Sequence, residues 1–275
     1  MTSRPRVLVT RPAEQAAVLV RALAAAGFEP VAVPLIEVRP LALAPADRQA
    51  LDPARRYDTL ILTSVNAVRF GQLAAEQAGS SLARLVAGGR VVPVGPQTAA
   101  AAARLGLAVE AVPERHDGTG VLQHLAGTVV RRALLPRALE TADIVGPGLR
   151  AVGATVVEVA VYETVARPEA GAALAAAIVG GLDAVTLMSP SAVRALAEAL
   201  AHGSETLEVV PPGAAYPADD PEPLRLPGCV FLCVGETTAA EARRRLPGPV
   251  LLADRQSVAG LVEALSDNFG MSARA

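Results

Sequence analysis

Short stretches of the first half of this 275-residue chain recur in the second half in the same order, and that recurrence constrains the fold more than any other feature. RVLVTR (Arg6–Arg11) returns as RALLPR (Arg132–Arg137), 126 positions later, and Gly27 returns at the same offset as Gly153. TSVNAVR (Thr63–Arg69) returns as MSPSAVR (Met188–Arg194) after 125 positions. VGPQTAA (Val94–Ala100) returns as VGETTAA (Val234–Ala240), and Gly120 as Gly260, both after 140. The offset jumps inside the Pro-rich, acidic segment HGSETLEVVPPGAAYPADDPEPLRLPG, which reads as a surface loop of the second copy. A unit written twice predicts a two-lobed molecule with a cleft.

Within a copy the pattern alternates strand and helix. RVLVT is a short buried strand, Arg11-Pro12 opens a helix with Pro12 at its first position and Gly27 closes it, and VAVPLIEVRP (Val31–Pro40) reads as the next strand. TLILTS (Thr59–Ser64) ends in a serine suited to cap the helix that follows, and RVVPVG (Arg90–Gly95) repeats the plan. AVEAVP (Ala108–Pro113) reads as a fifth strand and DGTGVLQHL as a closing helix. This alternation predicts an α/β fold of about ten strands, as two parallel sheets each covered on both faces to make three-layer domains.

VVEVAVYETV (Val156–Val165) is β-branched, continuous and followed by Pro168, and Val31–Pro40 is its counterpart, aligning Ile36 with Tyr162. Strands that meet a proline are candidate crossings between domains. The expected connectivity is therefore discontinuous: 1–37 with 167–270 in one domain, 41–163 in the other, linkers at 38–40 and 164–166, and a tail at 271–275.

Composition excludes several classes. With 52% hydrophobic and 19% charged residues the chain is globular. It has no tryptophan and only Tyr57, Tyr162 and Tyr216 as tyrosines, so single-stranded nucleic acid lacks a stacking platform. A net charge of −2 offers no global attraction to a polyanion. No apolar run nears the roughly 18 residues of a membrane span, and the N-terminus runs straight into a strand, which predicts a cytoplasmic protein without membrane or nucleic-acid partners. Cys229 and Cys233 fall in one strand, about 13 Å apart along it, too far for a disulfide. His116, His124 and His202 are scattered, so no metal site is expected. GxGxxG after the first strand, a P-loop and a nucleophile elbow are all missing.

In parallel α/β sheets ligands sit beyond the carboxyl ends of strands, where helix N-termini present unpaired N–H groups. Small polar residues stand at four such ends in repeat-related pairs: Ser64 and Asn66 with Ser189 and Ser191, and Gly95, Gln97 and Thr98 with Gly235, Thr237 and Thr238. Arg11 and Arg137 close the equivalent first strands. Each could bind a carboxylate or phosphate through backbone N–H and hydroxyl, or cap a helix and nothing more; their doubling points to a shared cleft. Arg69 and Arg194 fall a turn into their helices, as exposed faces do.

These residues resemble the uroporphyrinogen-III synthase family of haem and tetrapyrrole biosynthesis. The likeness runs through VLVTRP with Gln15 and Gly27, LTSVNAVR, VGPQTAAAAARLGL, LLPR, VYET, SPSAVR, VGETTAAEA and SVAGLVEAL. It implies two α/β domains joined by a two-stranded linker. It also implies a lyase acting on a small molecule: linear hydroxymethylbilane loses water, closes to a macrocycle and inverts ring D through a spiro intermediate. Tyr162 matches the family tyrosine that assists departure of the hydroxyl, and Ser64, Thr98, Ser191 and Thr238 match positions lining the cleft. No metal or organic cofactor is implied, and a monomer is expected. The Pro-rich insertion Gly203–Gly228 is longer than the family pattern. A two-lobed protein that binds a tetrapyrrole or other anion without turnover is the alternative reading of the same residues.

Overall fold

The computed structural model describes residues 4–141, 144–201 and 224–271, so most of the Pro-rich insertion, with His202 and Tyr216, lies outside the described residues. In chain order the strands are β1 (Arg6–Val9), β2 (Glu29–Ala32), β3 (Ile36–Pro40), β4 (Thr59–Leu62), β5 (Arg90–Pro93), β6 (Arg132–Ala138), β7 (Thr155–Ala166), β8 (Ala184–Leu187), β9 (Val230–Cys233) and β10 (Val250–Leu252). The helices are α1 (Ala13–Ala25), α2 (Pro45–Ala50), α3 (Val65–Gln77), α4 (Leu82–Leu85), α5 (Pro96–Arg104), α6 (Gly118–His124), α7 (Val145–Ala151), α8 (Gly171–Val179), α9 (Pro190–Ala201), α10 (Glu236–Arg245) and α11 (Val258–Asn268). Backbone contacts group Met1–Glu37 with Val165–Ala275 as unit 1 and Val38–Thr164 as unit 2, the boundaries falling within β3 and β7.

Unit 1 holds a sheet ordered β10-β9-β8-β1-β2, parallel throughout. Its strands bury both faces, and the two-residue period sorts their side chains between two cores. Leu8, Val185, Leu187, Phe231 and Cys233 pack on one face with Leu174 of α8, Leu196 of α9 and Ala239 of α10. Val7, Val9, Ala184 and Leu232 pack on the other with Leu19 and Leu23 of α1 and Leu261 and Leu265 of α11. Burying each Leu contributes about 1.5 to 3 kcal/mol, so both layers hold the sheet.

Unit 2 also holds a five-stranded sheet with helices on both faces. The sheet is ordered β3-β7-β6-β4-β5, with β5, β4, β6 and β7 parallel. Leu60, Leu62, Val91, Leu134 and Val159 face α3 and α5, while Ile61, Val92, Ala133 and Leu135 face α6 and α7. Register matches between the sheets: Arg6 stands opposite Glu29 as Arg132 does opposite Thr155, Val7 opposite Ala184 as Ala133 opposite Thr59, and Ala184 opposite Val230 as Thr59 opposite Arg90.

Three details differ from the sequence reading. Val31–Pro40 is two strands rather than one, β2 in the first sheet and β3 in the second, with Val33–Leu35 outside both. Pro34 lies in that gap and has no N–H to continue a ladder. Ala108–Pro113 is not a strand: beyond β5 a single bridge, Val91 to Val109, extends the sheet before Pro113. Helix α1 begins at Ala13, with Pro12 preceding it as the N-cap residue.

Candidate functional site

All strand ends at issue in a unit point the same way because the strands are parallel, so side chains just past them gather at one edge of that sheet. In unit 2 these are Ser64 after β4, Gly95 after β5, Arg137 near the end of β6, and Tyr162 on β7. Ser64 caps α3 by accepting the Ala67 N–H at 3.0 Å. Its Oγ also lies 3.2 Å from the Tyr162 hydroxyl, so two predicted site residues 98 positions apart form a direct hydrogen bond.

A register shift brings them together. The pairing of β6 with β7 matches Arg137 to Ala160 but Ala138 to Tyr162, which leaves Val161 as an extra residue. Strict alternation would send Val161 and Tyr162 to opposite faces; the bulge turns both toward the α3 side, where they share one core. There the Tyr162 ring stacks on Phe70 with centroids 5.4 Å apart and planes inclined by 28°. Tyr162 keeps 9% of its surface exposed. Burial pushes its phenol above the usual tyrosine range, only partly opposed by the bond to Ser64. The group therefore stays protonated at neutral pH and acts as a hydrogen-bond donor that gives up its proton reluctantly.

In unit 1 the same edge carries Arg11, Ser189 and Gly235 after β1, β8 and β9. Ser189 accepts the Ala192 N–H at 3.2 Å, as Ser64 accepts that of Ala67, but its other neighbour is the Ser191 hydroxyl at 2.9 Å rather than a phenol. Asn66 takes the place of Ser191 in unit 2, as the second residue of α3.

The two arginines differ in circumstance. Arg137 Nε is buried 2.7 Å from Glu158 Oε2, an ion pair without hydrogen-bond alignment, and its Nη1 donates to the Ala138 carbonyl. Glu158 also holds Arg150 at 2.6 Å. Arg11 is partly buried, which lowers its pKa by desolvation, and its guanidinium donates to Gln15 Oε1 at 3.0 Å. Among the described residues it has no carboxylate partner.

Gly95 and Gly235 are the N-cap residues of α5 and α10, and neither helix has a side-chain cap. Gln97 and Thr237 are exposed in the first turns, while Thr98 and Thr238 are each only 4% exposed. Other buried threonines are satisfied: Thr10 Oγ1 donates to the Thr186 carbonyl, Thr186 Oγ1 to that of Leu8, and Thr59 Oγ1 to Asp58. Thr98 and Thr238 have no such partner among the described residues, and neither hydroxyl is fully enclosed. An unpartnered hydroxyl that still reaches the surface is open to water or to a ligand.

Sequence reasoning missed the side chains beside these caps. The base of the His116 side chain lies against Gly95, its Cβ and Cγ each 3.6 Å from where a Cβ would stand, and Gln256 Nε2 lies 3.1 Å from the same point on Gly235. His116 and Gln256 are 140 positions apart, the offset that already related the two caps, so the repeat held the signal.

The cysteines stand apart from this chemistry. Both are free and buried, and burial pushes Cys229 up to about 12 and Cys233 up to about 11. Native protein should therefore leave both thiols unreacted with a chromogenic disulfide at roughly pH 8, and urea should release them together. Rapid reaction of the folded chain would contradict their burial.

Among known proteins, the family model described as "Uroporphyrinogen-III synthase HemD" matches residues 17–263. The chain is 32% identical over 184 residues to a Methanothermobacter thermautotrophicus protein named after the same synthase, covering 65% of this chain and 71% of that one. It is 31% identical over 163 residues to the uroporphyrinogen-III synthase of Synechococcus elongatus, covering 58% of this chain and 60% of the relative. A Ruminiclostridium josui protein named "Porphyrin biosynthesis protein HemD" is 35% identical over 127 residues, which span 46% of this chain but 24% of that protein. In fold, the chain is similar to a solved uroporphyrinogen III synthase of Thermus thermophilus, with a TM-score of 0.60 at 20% identity over 97% of this chain and 98% of that one. It is also similar to that of Helicobacter pylori, with a TM-score of 0.56 at 17% identity over 97% and 100%. With the family model spanning nearly all of its length, the chain belongs to the uroporphyrinogen-III synthase family.

Proposed function

We propose that this chain is a uroporphyrinogen-III synthase, a lyase of haem biosynthesis that closes hydroxymethylbilane with loss of water and inversion of ring D. The observation that carries the mechanism is the phenol of Tyr162, aimed by a bulge and held 3.2 Å from the cap of α3. Tyr162 donates a hydrogen bond to the departing hydroxyl of the substrate. Ser64 Oγ already accepts from Ala67, so its own hydrogen is free to point at the phenol oxygen and stabilise charge that develops there. The α3 N-terminus behind it favours the same charge.

The linear substrate also closes unaided, without inversion, so the protein must fix its conformation as well as speed its reaction. The uncapped N-termini of α5 and α10, Thr98, Thr238, Ser189, Ser191 and the cation of Arg11 are the groups assigned to its carboxylates. Arg137 reaches substrate only by exchanging Glu158. No step calls on a metal or organic cofactor. The repeated offsets and the matching registers support descent of the two sheets from one duplicated unit, with domains at 1–37 plus 167–270 and at 41–163 and the strands β3 and β7 as the crossings.

Incubating the chain with freshly prepared hydroxymethylbilane and separating the product isomers tests the proposal. Isomer III is expected, in excess over the unaided reaction. Isomer I alone, at the unaided rate, would leave the chain at most a tetrapyrrole binder.

A further inference from the structure

We infer that His116 and Gln256 are a repeat-related pair of substrate-binding residues, each completing a carboxylate subsite over an uncapped helix N-terminus. The inference rests on the synthase reading for the identity of the ligand, but its geometry stands within each unit. In unit 2 the subsite comprises the first turn of α5, the Thr98 hydroxyl and the His116 side chain, whose base packs on Gly95. In unit 1 it comprises the first turn of α10, the Thr238 hydroxyl and the Gln256 amide against Gly235.

Three features make these more than helix ends. Helices α3, α6, α9 and α11 each carry a side-chain acceptor, Ser64, Asp117, Ser189 and Ser257, whereas α1 and α7 start at Pro12 and Ile144 without one. Helices α5 and α10 alone among these present glycine, which leaves their first-turn N–H groups without a side-chain acceptor. Each also buries one threonine to 4% exposure with its hydroxyl unpartnered among the described residues.

The third feature is the pair itself. His116 and Gln256 are exposed and have no hydrogen-bond partner among the described residues. Either tautomer of the imidazole offers an N–H, and the carboxamide offers two. A carboxylate seated on the helix end would then accept from backbone, hydroxyl and side chain at once, as charge-assisted bonds. Each loop is fixed by the helix that follows it, through Asp117 on Gly120 N at 2.9 Å and Ser257 on Gly260 N at 3.1 Å. Glu236, the one acid in the first turn of α10, is drawn aside to Arg243 at 2.7 Å. The neighbouring charges Arg115 and Asp117 pair with each other, so neither competes for the subsite.

The test uses uroporphyrin, an octacarboxylate macrocycle, as the binding probe, alongside steady-state kinetics with hydroxymethylbilane. His116→Ala and Gln256→Ala should each weaken uroporphyrin binding and raise KM about five- to tenfold, with kcat within about twofold and isomer III still formed. His116→Gln should recover most of the loss, since it restores a donor. His124→Gln, whose imidazole faces Glu110 at 3.2 Å, should bind as the parent does. Binding within about twofold of the parent for both alanine variants overturns the assignment, as does failure of the parent to bind uroporphyrin. An effect at only one of the two positions overturns the pairing. Product isomer reports separately on the synthase reading: a chain that binds uroporphyrin through these residues yet makes no isomer III keeps the subsites and loses the enzyme.

Discussion

Tyr162→Phe should turn over hydroxymethylbilane about 10² to 10⁴ times more slowly than the parent while still releasing isomer III. The substitution keeps the ring that stacks on Phe70 and removes only the oxygen 3.2 Å from Ser64. Ser64 retains its bond to Ala67, so α3 stays capped and the cost in stability should be about 1 kcal/mol. Burial holds the phenol above its ordinary pKa, so the rate of the parent should show no fall through neutral pH that traces to this group. Tyr162→Ala removes the ring as well and should cost about 3 to 5 kcal/mol of unfolding free energy, as large aromatic truncations do. A Phe variant with the parent's kcat would reduce Tyr162 to a packing residue and leave the carboxylate contacts untouched. The Ser64→Ala variant separates the two roles further: it should lose about 1 kcal/mol for the cap and slow turnover less than Tyr162→Phe.

Much of this geometry was legible in the sequence because the repeat states it twice. The helix starts at Ser64, Ser189, Gly95 and Gly235 follow from strand ends meeting small polar residues, a local signal that tertiary context rarely overrides. What escaped depends on partners far along the chain. Val31–Pro40 read as one strand because its copy has Ala160 where it has Pro34, and the proline's missing N–H outweighs the apolar pattern. The side to which Tyr162 points rests on a one-residue bulge in β7 that alternation cannot foresee. Arg137 looked as available as Arg11 until the pairing of β6 with β7 set Glu158 beside it. His116 and Gln256 carried no motif, and only their distance from the two cap glycines gives them meaning.

Gly120→Ala should be among the most destabilising single-methyl additions in the chain, costing about 3 kcal/mol or more. A Cβ at Gly120 would stand 1.8 Å from the Arg115 carbonyl oxygen, and one at Gly260 would stand 2.3 Å from that of Arg255. Those oxygens belong to backbone, which cannot swing away as the end of a flexible side chain does, so the loop or the first helical turn must move. Gly260→Ala should follow the same course with a smaller loss, since its gap is wider. Gly153→Ala provides the contrast: its φ of +91° disfavours a side chain, but nothing lies within 4 Å, and the expected cost is about 1 to 2 kcal/mol. Denaturant midpoints measured for the three variants rank them, with each transition followed by more than one probe because the chain comprises two compact units. Gly120→Ala within about 1 kcal/mol of the parent would mean that the 115–117 loop does not fold over the helix as described. The same result would undercut the subsite above Gly95, because the carbonyl of Arg115 and the side chain of His116 are neighbours in one loop.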